Sequence, residues 1–389
     1  MVPNIQLKSI AEKLAKMEHD VAVLASGPST RQVKEEFINR LIVYTYYSAP
    51  WILKSGDDVR IHSICKALRK LGTIVVVFNL SHLIDRYMTA RSNGVLYICI
   101  PRKFYRLISK ILRWKRTEDL NPLIKLTHYV DEFIAVVKLL DELRESNVIY
   151  VFGSMTLFSL FARILGIKAK IIYDPLANYA QTLYLWSRGN IRELFRYGLY
   201  LVLHKLQLRS SNYIVYPSQH DLRNAECMFR VRNTSVIPNP LPVCYESFEE
   251  YLSLRSQRKE FDKPYFVLLA GTRGKGNEEA VKLTIGVFNE LPPDRFRLFI
   301  TGPWQDMKRY VKNPSIKILG VVSHEKLKEL LAMSDYGLVP IFSHVAGTFL
   351  KTLAYIAASL DIITTPHSLQ GVDLRDIARR NIKIYLVRN

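Results

Sequence analysis

Short apolar runs alternate with amphipathic stretches from residue 41 almost to the end, and few folds tolerate that rhythm. The runs "LIVYTYY", "TIVVVFNL", "NVIYVFG", "KIIYD", "YFVLLAG", "YGLVPI" and "DIITT" are largely continuous in apolar character. A strand buried on one face alternates apolar with polar residues, so these strands are covered on both faces. Between them lie stretches of helical period, such as "VRIHSICKALRKLG", "DEFIAVVKLLDELRES", "TLFSLFARILG" and "HEKLKELLAMS". This succession predicts parallel sheets with helices on both sides, an α/β architecture.

The rhythm breaks once, at the Pro-bearing and charged stretch "IPNPLPVCYESFEEYLSLRSQRKEFDKP". Two Rossmann-like domains are therefore expected, an N-terminal one over 41–245 and a C-terminal one over 246–389. A helical or loosely ordered extension, 1–40, precedes them. A chain of 389 residues is long enough for two separate cores. Two such sheets facing across a cleft would bind ligands beyond the carboxyl ends of their strands.

Charge narrows the choice of partner. Lys and Arg number 55 against 35 Asp and Glu, a net charge of +20. That balance favours a polyanion: anionic lipid, a phosphorylated substrate or nucleic acid. No nucleic-acid-binding module is recognisable, so nucleic acid is not the expected partner. In "RKFYRLISKILRWKR", residues 102–116, seven basic residues stand without an acidic one. Phe104, Leu107, Ile108, Ile111 and Leu112 share one helical face, with Tyr105 and Trp114 near its edges. Such a helix suits an anionic membrane surface, or packs on its own domain with a solvated basic side. No run of about 18 apolar residues could span a bilayer. The charged N-terminus lacks the apolar block of a signal peptide. Four dispersed cysteines, Cys65, Cys99, Cys227 and Cys244, suit a reduced compartment. A cytoplasmic, peripherally membrane-bound protein is expected. The histidines show no metal-binding spacing, and no metal is expected.

Two stretches carry chemistry. "AGTFLKTLAYIAASLDIITT", residues 346–365, runs from a loop into a helix and then a strand. A helix N-terminus offers free N–H groups to an anion, and Lys351 adds a charge in the first turn. "GTRGKGNEEAV" is a basic, Gly-rich loop after a strand, without the spacing of a P-loop ATPase. Together with "SIKILGVVSHEKLKELLAMSDYGLVP" and the pair "VYPSQHDLRN" and "SVIPNPLPV", these stretches resemble the GT-B glycosyltransferases. The resemblance is to the large retaining family 4, which uses nucleotide-sugar donors, and it covers most of residues 41–375.

The resemblance implies roles. Arg273 and Lys275 would clamp the donor diphosphate, with Gly271, Gly274 and Gly276 allowing close backbone approach. Gly347, Thr348 and the following N–H groups would hold the distal phosphate, and Lys351 would neutralise the departing nucleotide as a catalytic group. Gly320 and Val321 stand where the family reads the base. Gly56, in "WILKSGDD", holds the place of the family's first Gly-rich loop. Asp174 closes "KIIYD" and is expected to face the acceptor side as a second catalytic residue. The family's paired glutamates fall on Ala346 and Ala354, a departure affecting the ribose site.

The implied function is transfer of a sugar from a nucleotide-sugar donor to a lipid-linked or glycan acceptor at the cytosolic membrane face, with no cofactor beyond the donor. The alternative is a catalytically impaired GT-B homologue acting as a binding or partner subunit. The stretch "DLRDIARRNIKIYLVRN" leaves no room for a helix returning to the first domain, so a truncated frame or a bracing protein partner is expected.

Overall fold

The computed structural model describes residues 41–45, 56–70, 75–81, 88–92, 95–111, 122–153, 156–177, 180, 184, 191–343 and 347–387. The extension 1–40, Trp114 with the rest of 112–116, and Ala346 lie outside these residues. The chain divides into two compact units at Pro238/Asn239, within the Pro-bearing break and a few residues before the expected boundary.

The first unit is built on eight strands: β1 (Leu41–Thr45), β2 (Val75–Ser81), β3 (Met88–Ser92), β4 (Val95–Pro101), β5 (Val148–Phe152), β6 (Lys170–Asp174), β7 (Tyr213–Tyr216) and β8 (Thr234–Val236). Their spatial order is 3-4-2-1-5-6-7-8. Every pairing is parallel except the edge pair β3–β4. The chain reverses direction across the sheet between β1 and β5.

Among the described residues the sheet is accompanied by α1 (Gly56–Lys70), α2 (Lys103–Ile111), α3 (Pro122–Lys138), α4 (Leu140–Arg144), α5 (Phe158–Ile164), α6 (Ile191–Arg209) and α7 (Gln219–Phe229). Strand β1 shows why its sequence is apolar throughout. Leu41 and Val43 pack with Ile61, Ile64 and Leu68 of α1, while Ile42 and Tyr44 pack with α3, α5 and α7 on the opposite face. Alternate side chains thus enter two different cores.

The second unit carries α8 (Phe248–Ser256), β9 (Tyr265–Leu269), α9 (Lys275–Asn289), β10 (Arg297–Thr301), β11 (Ile316–Gly320), α10 (His324–Met333), β12 (Tyr336–Val339), α11 (Leu350–Ala357), β13 (Asp361–Thr364), α12 (Leu374–Arg379) and β14 (Ile384–Leu386). All six strands are parallel in the order 11-10-9-12-13-14, the doubly wound Rossmann arrangement. Ser247 and Ser323 start α8 and α10 by accepting N–H bonds from Glu250 and Lys326.

Within this core, Tyr355 of α11 takes its hydroxyl to three backbone groups. It accepts from the Leu269 N–H and lies within donor reach of the Val267 and Leu338 carbonyls. Its ring fills the space that a side chain at Gly337 would need. Helix α11 is thereby pinned between β9 and β12, the two strands on either side of the switch in strand order.

Candidate functional site

A doubly wound sheet leaves a crevice at the carboxyl ends of the strands where the winding changes direction. In the second unit that place is beyond Leu269 of β9 and Val339 of β12. The loop Ala270–Gly274 leaves β9 and enters α9, whose N-cap, Gly274, makes no side-chain cap bond. Lys275 is the first residue of α9 and is exposed. The segment after β12 returns through Ser343, Gly347 and Thr348 to α11, whose N-cap Phe349 likewise supplies no side-chain oxygen. Two uncapped helix starts therefore meet at one strand switch.

Asn277 joins the two segments. Its amide nitrogen donates to the Thr272 carbonyl at 2.8 Å and hydroxyl at 3.1 Å, and its oxygen accepts from the Lys351 ammonium. Glu279 accepts from the Ser343 N–H at 3.0 Å. Lys351 is half-buried, and burial lowers its pKa from 10.5 to about 7. The hydroxyls of Ser343 and Thr348 are buried and make no hydrogen bond with the described residues. Gly347 has φ 88°, a left-handed conformation that suits glycine. The site thus presents a desolvated amine, two unbonded hydroxyls and two helix N-termini, all suited to an anion.

Arg273 already meets a carboxylate of this chain. Its Nε donates to the Pro303 carbonyl at 2.8 Å, and both terminal nitrogens bond Asp306. Its guanidinium lies 4.8 Å from the Trp304 ring centre. The hydrogen bond from Arg273 holds the Asp306 carboxyl below its ordinary range. Arg273 is thus already occupied by a carboxylate of this chain. Trp304 fixes the arrangement by donating its indole N–H to the Ala270 carbonyl at 2.6 Å. A Cβ on Gly302 would stand 1.9 Å from that same carbonyl oxygen, so only glycine fits there.

Gly320 ends β11 with φ 84° and lies against the Gln305 amide, and Val321 follows it, exposed. Gly271 lies in the exposed loop, and Gly276 is buried in the first turn of α9. Ala354 sits in α11, 1% exposed, among the apolar residues of the unit's core.

In the first unit Gly56 is the opening residue of α1 rather than part of a loop. Asp174 closes β6 as expected, but the structure corrects its surroundings. Its carboxylate is wholly buried, bonded by Arg60 at 2.9 and 2.8 Å, by the Tyr150 hydroxyl at 3.2 Å and by the Leu176 N–H at 3.0 Å. The basic stretch also has a carboxylate after all: Asp131 of α3 accepts from the N–H groups of Phe104 and Tyr105 at the start of α2. Among the described residues no group of three His, Cys, Asp or Glu side chains is placed to hold a metal ion. No described helix is long and apolar enough to cross a membrane.

Solved glycosyltransferase structures of the GT-B fold share this architecture of two Rossmann-like α/β units. Sucrose-phosphate synthase from Thermosynechococcus elongatus superposes with a TM-score of 0.65 at 13% identity, covering 88% of each chain. A trehalose-6-phosphate protein from E. coli, bound with UDP-2-fluoro glucose, gives 0.58 at 14% identity over 90% of this chain and 88% of that one. WaaG, a glycosyltransferase involved in lipopolysaccharide biosynthesis, gives 0.58 at 14% identity over 89% and 85%. No family model matches the sequence, and no curated protein matches it.

Proposed function

We propose that this protein is a glycosyltransferase that binds a nucleotide-sugar donor at the strand switch of its second unit. The observation that carries this reading is the joining of Lys351, Asn277 and the Thr272–Lys275 loop beside the unbonded Ser343 and Thr348 hydroxyls. In this reading Lys275, Lys351 and the two helix starts hold the diphosphate and neutralise its charge as it departs. Gly320 and Val321 lie beside the base. The acceptor is lipid-linked or a glycan, met at the cytosolic face of a membrane and supplied from the first unit. No metal takes part. The wholly buried Asp174 has a structural role here, so positioning and charge neutralisation carry catalysis.

Isothermal titration with UDP and GDP tests the donor site. A Lys275→Ala, Lys351→Ala variant is expected to lose affinity about tenfold or more, the scale of two charge-assisted contacts. Unchanged affinity overturns the assignment. One observation favours a second reading, nucleotide binding without transfer: Ala354 leaves no carboxylate on α11 for ribose hydroxyls. Radiolabelled transfer from a UDP- or GDP-sugar pool to membrane lipid extract separates the two readings.

A further inference from the structure

Helix α6 presents a face that its own unit does not cover. Ile191, Leu194, Phe195, Leu199, Val202 and Leu206 are all exposed, Ile191 at 87% and Phe195 at 71%. Their spacing places them on one side of the helix across more than four turns. The opposite side is firmly packed. Tyr200, His204, Gln207 and Leu208 are buried, His204 against Tyr173 and Phe229, and Gln207 bonded to Ser159. The apolar exposure is therefore not a helix that failed to dock.

The surface continues sideways. Helices α3, α5 and α6 pack in sequence on one face of the sheet, so their exposed residues share one outer surface, to which Phe133 and Ile164 also belong. Exposed basic side chains accompany it, and Lys205 and Arg209 lie on the same side of α6 as its apolar residues, at the C-terminal end. Lys138, Lys168, Lys205 and Arg209 are exposed, and none forms an ion pair among the described residues. Helix α6 itself holds Arg192, Arg196, Lys205 and Arg209 against the single acid Glu193. Tyr184 and Tyr197 pair near its N-terminal end, with ring centres 5.6 Å apart.

We propose that the outer face of α6 seats this protein on an anionic bilayer, with the helix lying in the plane of the headgroups. A long apolar side that carries lysine and arginine at one end and a tyrosine pair near the other matches the gradient from acyl chain to headgroup, since long basic side chains reach from apolar surroundings to the phosphates. A second copy of the chain fits less well. A symmetric contact across α6 would press two strongly basic chains together, each of net charge +20, with no acidic counterpart for Lys205 and Arg209 on the exposed face. An anionic bilayer meets the apolar side with its acyl region and the basic side chains with its headgroups. The inference rests on the membrane reading above but not on the donor site, and it moves the main contact from residues 102–116 to α6.

The test is co-sedimentation of the full chain with vesicles of phosphatidylcholine alone or mixed with phosphatidylglycerol. The wild type is expected to bind the mixed vesicles, more weakly as salt rises. Phe195→Glu with Val202→Glu is expected to reduce binding about tenfold or more. Lys205→Glu with Arg209→Glu is expected to weaken binding and flatten its salt dependence. All variants should keep the wild-type melting temperature and UDP affinity, because the altered positions are exposed and lie outside the second unit. Vesicle binding that ignores the α6 changes but is lost with Arg106→Glu and Lys110→Glu overturns the inference and leaves the membrane reading standing. No binding by the wild type overturns both and leaves the donor reading to its own titration. A wild-type dimer that Phe195→Glu makes monomeric in sedimentation velocity assigns the face to a second copy and also overturns the inference.

Discussion

Arg60 and Asp174, 114 residues apart, form a wholly buried ion pair with contacts of 2.9 and 2.8 Å at the carboxyl end of β6. Arg60 also donates to the Ile237 carbonyl at 2.7 Å, tying α1 to the segment that follows β8. The pair sits where a catalytic carboxylate was expected, and its geometry is that of a structural tie. Removing one partner of a buried pair strands the other charge, which costs about 3–5 kcal/mol. Asp174→Ala is therefore expected to lower unfolding stability by that amount in urea titration. Adding Arg60→Met should restore most of it. A variant with full stability but no transfer would instead return Asp174 to the reaction.

That pair also shows what the sequence conceals. In "VRIHSICKALRK" Arg60 reads as a solvent-side residue of an amphipathic helix, and nothing local marks its partner on a distant strand. The two parallel sheets were legible because burial on both faces writes itself into composition as continuous apolar runs. The antiparallel edge strand β3, "MTARS", was missed because an edge strand carries no such signature. The helix starts after the 270–274 loop and before Lys351 were legible because glycine and a basic residue beside a helix start are local signals. Trp304 and Asp306 were not, since "TGPWQDMKRY" reads as an ordinary turn until the fold brings it to Arg273. The α6 face was also missed, because a helix apolar on both sides has a weak helical period.

Gly337 and Tyr355 make a second packing prediction. A Cβ at Gly337 would lie 2.3 Å from the Tyr355 ring, and the tyrosine cannot step aside without giving up its backbone hydrogen bonds. Gly337→Ala is expected to destabilise the second unit by about 1–3 kcal/mol, the usual cost of overpacking. Thermal unfolding with and without Tyr355→Leu measures it. The added substitution should recover part of the loss only if the ring is the obstacle.

The Arg273–Asp306 contact is a competitor for any anion that Arg273 would bind. Both side chains are exposed, so the pair is weak and readily exchanged. Asp306→Asn is expected to tighten UDP binding by about twofold to fivefold, the scale of an exposed ion pair. Arg273→Ala should weaken binding and abolish the effect of Asp306→Asn in the double variant. Additive effects in calorimetry would show that Arg273 does not reach the ligand.

Lys351 gives the sharpest test of the donor site because its charge depends on what occupies it. Burial lowers its pKa from 10.5 to about 7, so folding favours the neutral amine. The cost of burying the ammonium therefore appears as pH falls from 10.5 toward 7, and stability without ligand declines through that window. A bound diphosphate reverses the balance by favouring the charged form. Binding of UDP at about pH 8 should then take up close to one proton, seen as a binding enthalpy that changes with the buffer's ionisation enthalpy. At about pH 6 the lysine is already largely protonated, and this uptake should shrink. Lys351→Arg keeps a charge that never titrates in this range, so it should bind UDP with no uptake at either pH. Uptake that persists in the Lys351→Arg variant would place the titrating group elsewhere and remove Lys351 from the phosphate site.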